Sequence, residues 1–184
     1  MAKIRFKLLD QEINDFVCGN NSVENMVYNA YCQTILQHGY AYQFCSETGI
    51  ILGYYMVKFE KILLSEYEEI LGDFYDDTMQ NFFSVHIHFI AVDKKYQNRS
   101  IGTNVLHTVV KQIWELAQVW PVRLITIDAL KDKYGWYIKN GFLPFDEKQL
   151  QNNDSVIKMY IDCQTDDNKE RVQKYIEERE GMLC

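Results

Sequence analysis

Residues 97–103, Gln-Asn-Arg-Ser-Ile-Gly-Thr, have the composition of an anion-binding turn. The turn follows a strongly apolar, strand-like run at 81–92 and leads into a run with helical spacing. A helix that begins directly after a strand exposes its first backbone N–H groups, and with the helix dipole these favour a phosphate or pyrophosphate. No Asp or Glu occurs between positions 94 and 111, and Arg99 adds positive charge. The residues therefore predict a phosphate-binding turn.

Two residues of the turn suit special backbone positions. Gly102 allows the helix backbone to come close to a ligand or to the sheet. Asn98 is one of the few residue types besides glycine that tolerate a left-handed conformation. The alternative is an ordinary strand-to-helix connection with Ser100 as the N-cap, and the turn alone leaves both open because short loop motifs match by chance.

The rest of the chain predicts one mixed-sheet α/β domain to hold this turn, because 184 residues are enough for one well-cored domain and few for two. Strands are expected at 3–8, 40–46, 49–64, 81–92, 122–130 and 155–163. Helices are expected from an N-cap at Ser22 to Gly39, from the turn to about Trp120, and from 131 to Gly141. The acidic stretch 65–80 fits a short helix or a loop, and a polar helix is expected near the end of the chain.

Composition limits the class of protein. The five cysteines form no CxxC pair, so neither a disulfide framework nor a zinc site is indicated, and no metal is expected. No apolar run reaches membrane-spanning length and no secretory leader is present, so we expect a cytoplasmic protein without a membrane partner. The net charge of −7 is uneven: residues 1–92 carry 5 Lys/Arg and 12 Asp/Glu, and residues 93–164 carry 10 and 8.

The turn also resembles motif A of the GCN5-related N-acetyltransferases (GNAT), whose pattern is [Arg/Gln]-x-x-Gly-x-[Gly/Ala]. Ser100 replaces the first glycine, and Asn98 replaces a common second-position glycine. The resemblance implies that acetyl-CoA is the cosubstrate, with its pyrophosphate on the turn and its pantetheine arm paired to a strand backbone where two strands splay apart. The implied acetyl-CoA-binding residues are Ile90, Ala91, Val92, Gln97, Asn98, Arg99, Ser100, Ile101, Gly102 and Thr103.

A second stretch, residues 136–142, is similar to the aromatic-Tyr-x-x-x-Gly-Phe signature of GNAT motif B. Leu130 and Lys133 depart from the Asn and Ala that the family often carries upstream. The resemblance implies that Tyr137 is the general acid for the CoA thiolate, a role in which reach matters more than a matched pKa. The alternative is that Tyr137 is a core aromatic on an amphipathic helix, the role that we expect for Trp136 and Phe142.

The N-terminal half resembles the GNAT branch that includes aminoacyl-tRNA-acetylating toxins, in the stretches FVCGNNSVENMV, QHGYAYQFC and GIILGYYMV. The likeness covers roughly residues 3–163. It implies an acyl-CoA N-acyltransferase fold, α/β (α+β), with a central mixed, mostly antiparallel sheet flanked by helices. The domain would span 1–164, with a polar helix at 165–184 packed on it or extending from it.

His86 and His88 alternate with Ile90 and Val92, which predicts one strand face for all four. Counted back from Val92 without gaps, His86 takes the position of a carboxylate in some GNAT members. Its imidazole could accept the amine's proton directly or through water. The alternative is a pair of strand histidines satisfied by neighbours or solvent, with desolvation and a water chain serving the reaction.

The expected reaction is direct acetyl transfer from acetyl-CoA to a primary amine on a small molecule or peptide. The acidic first half suits a cationic acceptor, and its acidic residues near the acceptor side are Glu60, Glu66, Glu68, Glu69, Asp73, Asp76 and Asp77. A charge run of this kind more often forms a solvated surface.

Two other functions stay open. One is a toxin that acetylates aminoacyl-tRNA and is neutralised by an antitoxin; the N-terminal likeness favours it, while the net charge disfavours a nucleic-acid partner. A local basic patch for tRNA would consist of Lys131, Lys133, Lys139 and Lys158. The other is a non-catalytic CoA-binding module, which the altered glycine positions allow. A homodimer is also compatible with the resemblance.

Overall fold

A computed structural model describes residues 4–63, 81–150 and 155–164 and the helical positions 166, 170, 171 and 174. Within the three continuous ranges it has seven strands and three α-helices. The strands are β1 (Arg5–Leu8), β2 (Tyr40–Cys45), β3 (Ile51–Leu63), β4 (Asn81–Val92), β5 (Val122–Leu130), β6 (Leu143–Pro144) and β7 (Val156–Asp162). The helices are α1 (Asn21–Ile35), α2 (Ile101–Ala117) and α3 (Tyr134–Lys139). All but β6 were expected from periodicity; two residues are too short to carry a period. The stretch 65–80 and nearly all of 165–184 lie outside the described residues.

The strands form one sheet in the order β1-β2-β3-β4-β5-β7-β6. β4 and β5 run parallel, and every other neighbouring pair is antiparallel. This confirms the predicted mixed, mostly antiparallel sheet. Among the described helices, none combines the length and the apolar character that crossing a membrane requires.

Each face of the sheet carries its own hydrophobic core, as the adjacent residues Tyr54 and Tyr55 of β3 show by belonging to different cores. We call these faces the α1 face and the α2 face, after the helix that packs on each. The α1-face core includes Phe16, Val27, Ala30, Tyr54, Met56, Phe89 and Ala91. The α2-face core includes Tyr55, Val85, Ile87, Leu106, Val109, Ile127, Tyr137 and Phe142.

The start of α1 differs from the prediction that Ser22 is its N-cap. The N-cap is Asn20, whose Oδ1 accepts a hydrogen bond from Val23 N at 3.1 Å. Glu24 Oε1 accepts from the backbone N–H groups of Cys18 and Gly19, both at 2.8 Å. The carboxylate thus reaches back past the cap, and the helix begins before Ser22.

The end of α1 also differs from the prediction of Gly39 as the residue after the cap. Gln37 takes the left-handed conformation there, with φ of 57°. Gly39 has a packing role instead. A Cβ at this position would lie 2.6 Å from Met56 Cε and 2.8 Å from Val57 O, so only glycine lets the chain pass this close to β3.

A β-bulge interrupts β4 at His88. Phe89 pairs with Met56 of β3 and Ile87 pairs with the next residue, Val57, so His88 has no partner of its own on that strand. An inserted residue reverses the alternation of the strand from that point onward. Ile87 before the bulge and Ile90 after it therefore both pack on the α2-face core.

Because of the bulge, the prediction that His86, His88, Ile90 and Val92 share one face of the strand is wrong. His86 lies between Val85 and Ile87, which face α2, so its side chain is on the α1 face. Ile90 and Val92 pack toward the α2 face. A period-two pattern contains no local signal for the extra residue.

Candidate functional site

Strands β4 and β5 separate in the middle of the sheet. Their parallel pairing ends at Ile87 and Ile127. Beyond this point β4 stays paired with β3 as far as Val92, and β5 stays paired with β7 as far as Leu130. A slot therefore opens between two strands that are each held on their outer side. The backbone of residues 88–92, which includes the predicted Ile90, Ala91 and Val92, lines one edge of this slot without a ladder partner on β5.

The turn at 97–103 leads from this edge into α2 and presents free donors. Among the described residues, none accepts a hydrogen bond from the backbone N–H groups of Ile101, Gly102 and Thr103, the first three of α2. Ser100 occupies the N-cap position, but its side chain makes no capping hydrogen bond. The first-turn N–H groups are therefore left for a ligand or for water.

Two residues of the turn adopt the conformation that glycine favours. Asn98 has φ of 61° and Ser100 has φ of 57°. These are the two positions where the GNAT pattern has glycine and this chain does not. Both positions thus adopt the left-handed conformation without glycine, at a small conformational cost for each side chain.

Gln97 shapes the turn by hydrogen bonds inside the protein. Its Nε2 donates to Cys18 O at 2.8 Å and to Val92 O at 3.0 Å. The side chain thereby ties the turn to the slot edge and to the segment before α1.

Gly102 and Thr103 connect the turn to α3. A Cβ added at Gly102 would lie 3.5 Å from Val92 Cγ2 and 4.0 Å from Trp136 Cζ2, which is ordinary contact, so packing alone does not require glycine here. Thr103 Oγ1 accepts a hydrogen bond from Trp136 Nε1 at 3.2 Å. The half-buried Trp136 therefore joins the two motifs, while the fully buried Phe142 is the core residue that the sequence predicted.

Tyr137 combines a packed ring with an unused hydroxyl. Its ring makes edge contacts with Trp136 and Phe142, at centroid distances of 4.7 and 5.5 Å. Its hydroxyl has no hydrogen-bond partner among the described residues. Burial raises the pKa of Tyr137 above its usual value, so the phenol keeps its proton at neutral pH. The packing role and the proton-donor role are compatible.

His86 lies at the end of a hydrogen-bonded chain on the α1 face. Lys158 Nζ and Thr126 Oγ1 each donate to Glu60, at 2.8 Å. Since the single Thr126 proton goes to Glu60, Thr126 Oγ1 must accept from His86 Nδ1, at 3.0 Å. The proton of the neutral imidazole is thus on Nδ1, and Nε2 keeps its lone pair.

The protonation states of His86 and Glu60 follow from their burial and their hydrogen bonds. Burial of His86, which is 2% exposed, lowers its pKa to about 4 despite the nearby carboxylates of Asp128 and Glu60. Burial alone would raise the pKa of Glu60, but the hydrogen bonds from Lys158 and Thr126 hold it below its ordinary value. At neutral pH the imidazole is therefore neutral and the Glu60 carboxylate is ionised. His88, half-buried at the bulge, also has its pKa lowered by burial.

Sequence reasoning missed the residues around His86. Glu60 was assigned to an acidic surface and Lys158 to a basic patch, but they form an ion pair with each other. Thr126 and Asp128 were not singled out at all. Their signal, polar residues within buried strands, becomes meaningful only once the strand register places them beside His86. No group of three or more His, Cys, Asp or Glu that could hold a metal ion occurs among the described residues.

Comparison with known proteins bears on the fold. No protein-family model and no curated protein matches the sequence. Solved structures do match: a bacterial toxin has a TM-score of 0.73 at 15% identity, covering 96% of this chain and 97% of that one. The chain has the GNAT fold. The fold class predicted from the two motifs is therefore confirmed.

Two further neighbours carry ligands. AtaT complexed with acetyl-methionyl-tRNAfMet has a TM-score of 0.66 at 17% identity, covering 87% of this chain and 95% of AtaT. A tyrosine-to-phenylalanine mutant of the AtaT toxin, bound to the C-terminus of the antitoxin AtaR and acetyl-CoA, has a TM-score of 0.65 at 16% identity. That match covers 88% of this chain and 94% of the mutant toxin.

Proposed function

We propose that this protein is an acetyl-CoA-dependent N-acetyltransferase. The observation that carries the proposal is the slot between β4 and β5, which begins beside a helix N-terminus whose first three backbone N–H groups have no acceptor among the described residues. An extended acyl-pantetheine arm can pair with the free strand edge while its pyrophosphate lies on the helix N-terminus. In this proposal residues 90–92 bind the arm and residues 97–103 bind the pyrophosphate.

In the proposed reaction, one side of the slot donates a proton and the other side accepts one. The amine nitrogen bonds to the thioester carbonyl carbon as the carbon–sulfur bond breaks. The sulfur takes the proton of the Tyr137 hydroxyl, which burial keeps protonated, and solvent then reprotonates the phenol. The nitrogen loses one proton, for which His86 Nε2 or a water molecule beside it is the proposed acceptor.

We further propose that the acceptor is the amino group of an aminoacyl-tRNA and that the partner is an antitoxin. The fold shared with AtaT, together with the N-terminal likeness to tRNA-acetylating toxins, supports this acceptor over a free small amine or peptide. Lys131, Lys133 and Lys139 are exposed around α3 and are the proposed phosphate contacts. Lys133 would have to exchange its ion pair with Asp132 for the phosphate, and Lys158 is paired with Glu60. The acidic first half of the chain is the observation that keeps a small cationic amine as the second candidate.

Calorimetry tests whether the protein binds acetyl-CoA, and a screen with labelled acetyl-CoA identifies the molecule that is acetylated. The screen should include total charged tRNA, uncharged tRNA, polyamines and basic peptides. Binding followed by transfer to charged tRNA alone supports the full proposal. Transfer to a polyamine or peptide instead would establish the second candidate. Binding with no transfer would indicate a non-catalytic module, and no binding would overturn the proposal.

A further inference from the structure

Two hydrogen-bond acceptors, one on His86 and one on Asp128, face each other beside the slot. His86 Nε2 and Asp128 Oδ2 are 3.9 Å apart, too far for a hydrogen bond. The Thr126 contact places the imidazole proton on Nδ1, so Nε2 and the carboxylate both offer lone pairs. Neither atom has a hydrogen-bond partner among the described residues. One nitrogen with two N–H donors can lie within about 3 Å of both.

The two acceptors differ in exposure in a way that suits a binding site. The His86 side chain is only 3% exposed, whereas that of Asp128 is 51% exposed. His86 therefore forms the buried side of the pair, and Asp128 forms the side that faces solvent. A ligand would enter past Asp128 and reach the imidazole at the inner end.

The position of the pair relates it to the slot. Asp128 is the first residue of β5 after the last residue paired with β4, and His88 is the corresponding residue of β4. His86 and Asp128 lie on the α1 face, while Tyr137 belongs to the core of the α2 face. A group held by the pair would approach the slot from the side opposite to Tyr137.

We infer that His86 and Asp128 form the subsite that binds the amino group of the acceptor. This rests on the proposed function and adds the residue Asp128 and the chemical class, a primary amine or ammonium with at least two N–H donors. The acetylated product has one N–H and no charge, so it loses one hydrogen bond and the attraction to Asp128. The same two acceptors therefore favour release of the product.

Other charged or titratable groups face the pair from the neighbouring strands. Glu60 and Lys158 are paired with each other, and His88 lies with its ring centroid 6.1 Å from that of His86. Lys58 pairs in register with His86 and contributes positive charge. Among these groups Asp128 is the carboxylate that is not paired with a lysine, so its charge is the one that can attract an incoming ammonium.

Nitrogen NMR of the His86 imidazole tests the subsite without knowledge of the acceptor. Ethylammonium, a bare primary ammonium, should shift the Nε2 resonance saturably, while tetramethylammonium, which has no N–H donor, should not. Asp128→Asn should weaken the ethylammonium response roughly tenfold, as loss of a charge-assisted hydrogen bond implies. The control Asp132→Asn makes the same change at a nearby exposed carboxylate paired with Lys133 and should respond like the wild type.

No ethylammonium shift in the wild type, or an equal response in Asp128→Asn, would overturn the inference whatever activity the enzyme has. In the transfer reaction, Asp128→Asn should raise the KM for charged tRNA roughly tenfold and leave the acetyl-CoA Kd unchanged. An unchanged KM would also overturn the inference. A wild-type enzyme that acetylates no charged tRNA, but whose His86 responds to ethylammonium, would refute the proposed acceptor and retain the amine subsite.

Discussion

At the scale of single residues, Tyr137 and His86 are held by different forces. The core fixes the Tyr137 ring through Trp136 and Phe142 and leaves the hydroxyl unbonded. Hydrogen bonds through Thr126 and Glu60 fix the His86 ring and determine which nitrogen carries the proton. Packing therefore positions Tyr137, the proposed proton donor, and polar contacts position the lone pair of His86, the proposed proton acceptor.

Tyr137→Phe should lower turnover by about 10²- to 10⁴-fold, because it removes a proton donor and keeps the ring. The acetyl-CoA Kd should stay nearly unchanged. Stability should also stay unchanged, since no hydrogen bond to a described residue is lost. Rapid-quench kinetics, calorimetry and thermal unfolding give the three values. Wild-type turnover in this variant would mean that Tyr137 only packs.

The burial of neutral His86 predicts a specific acid sensitivity. Its pKa is about 4 in the folded chain and near 6.5 when unfolded, so the stability it contributes is present above pH 6.5 and is lost as pH falls toward 4. Between pH 7 and pH 4.5, this residue should cost roughly 2–3 kcal/mol of unfolding free energy. Urea unfolding at both values should show a smaller loss for His86→Gln than for the wild type. An equal loss would contradict the buried neutral state, and His107→Gln, on the exposed side of α2, is the matched control.

At the scale of elements, the proposed pyrophosphate site is made by the backbone of the turn before α2. Ser100 holds φ of 57° without capping the helix, so its side chain serves neither the fold nor the cap. The position is therefore open to substitution that tests the ligand site separately from stability.

Ser100→Glu and Ser100→Gly should have opposite effects. The glutamate puts a carboxylate against the bound pyrophosphate and should abolish acetyl-CoA binding by calorimetry. The glycine suits the left-handed backbone and should raise stability by about 0.5–1 kcal/mol while binding is retained. Unchanged acetyl-CoA affinity in a folded Ser100→Glu variant would show that the turn is not the pyrophosphate site.

The elements themselves could be predicted from the sequence, but their register could not. Period-two and helical spacing located nearly every strand and helix, and residue types located the turn at 97–103. The bulge at His88 has no local signal, because it is defined by where Met56 and Val57 of another strand pair. The end of the β4–β5 ladder at Ile87 is likewise a property of two strands. The Thr126–His86–Asp128 contacts depend on that register and therefore appear only in the structure.

At the scale of the whole molecule, the net charge opposes the proposed acceptor. A net charge of −7 in residues 1–92 attracts an ammonium and repels a phosphate chain, and salt screens both effects within about 10 Å at 0.1 M. A charged tRNA, the proposed acceptor, would have to bind by local basic residues around α3. Binding of tRNA that weakens steeply with salt would show that these local charges outweigh the net charge. Salt-independent or absent tRNA binding, with a polyamine KM that rises with salt, would favour the cationic acceptor.

Identification of the acetylated product tests the central claim most directly. The wild-type protein should transfer label from acetyl-CoA to charged tRNA, and mild alkali should release the label as an N-acetyl amino acid. Uncharged tRNA should stay unlabelled, and Tyr137→Phe should give little product in the same time. Label that appears only on small amines or peptides, or no label at all from a protein that binds acetyl-CoA, would contradict the claim that this chain acetylates aminoacyl-tRNA.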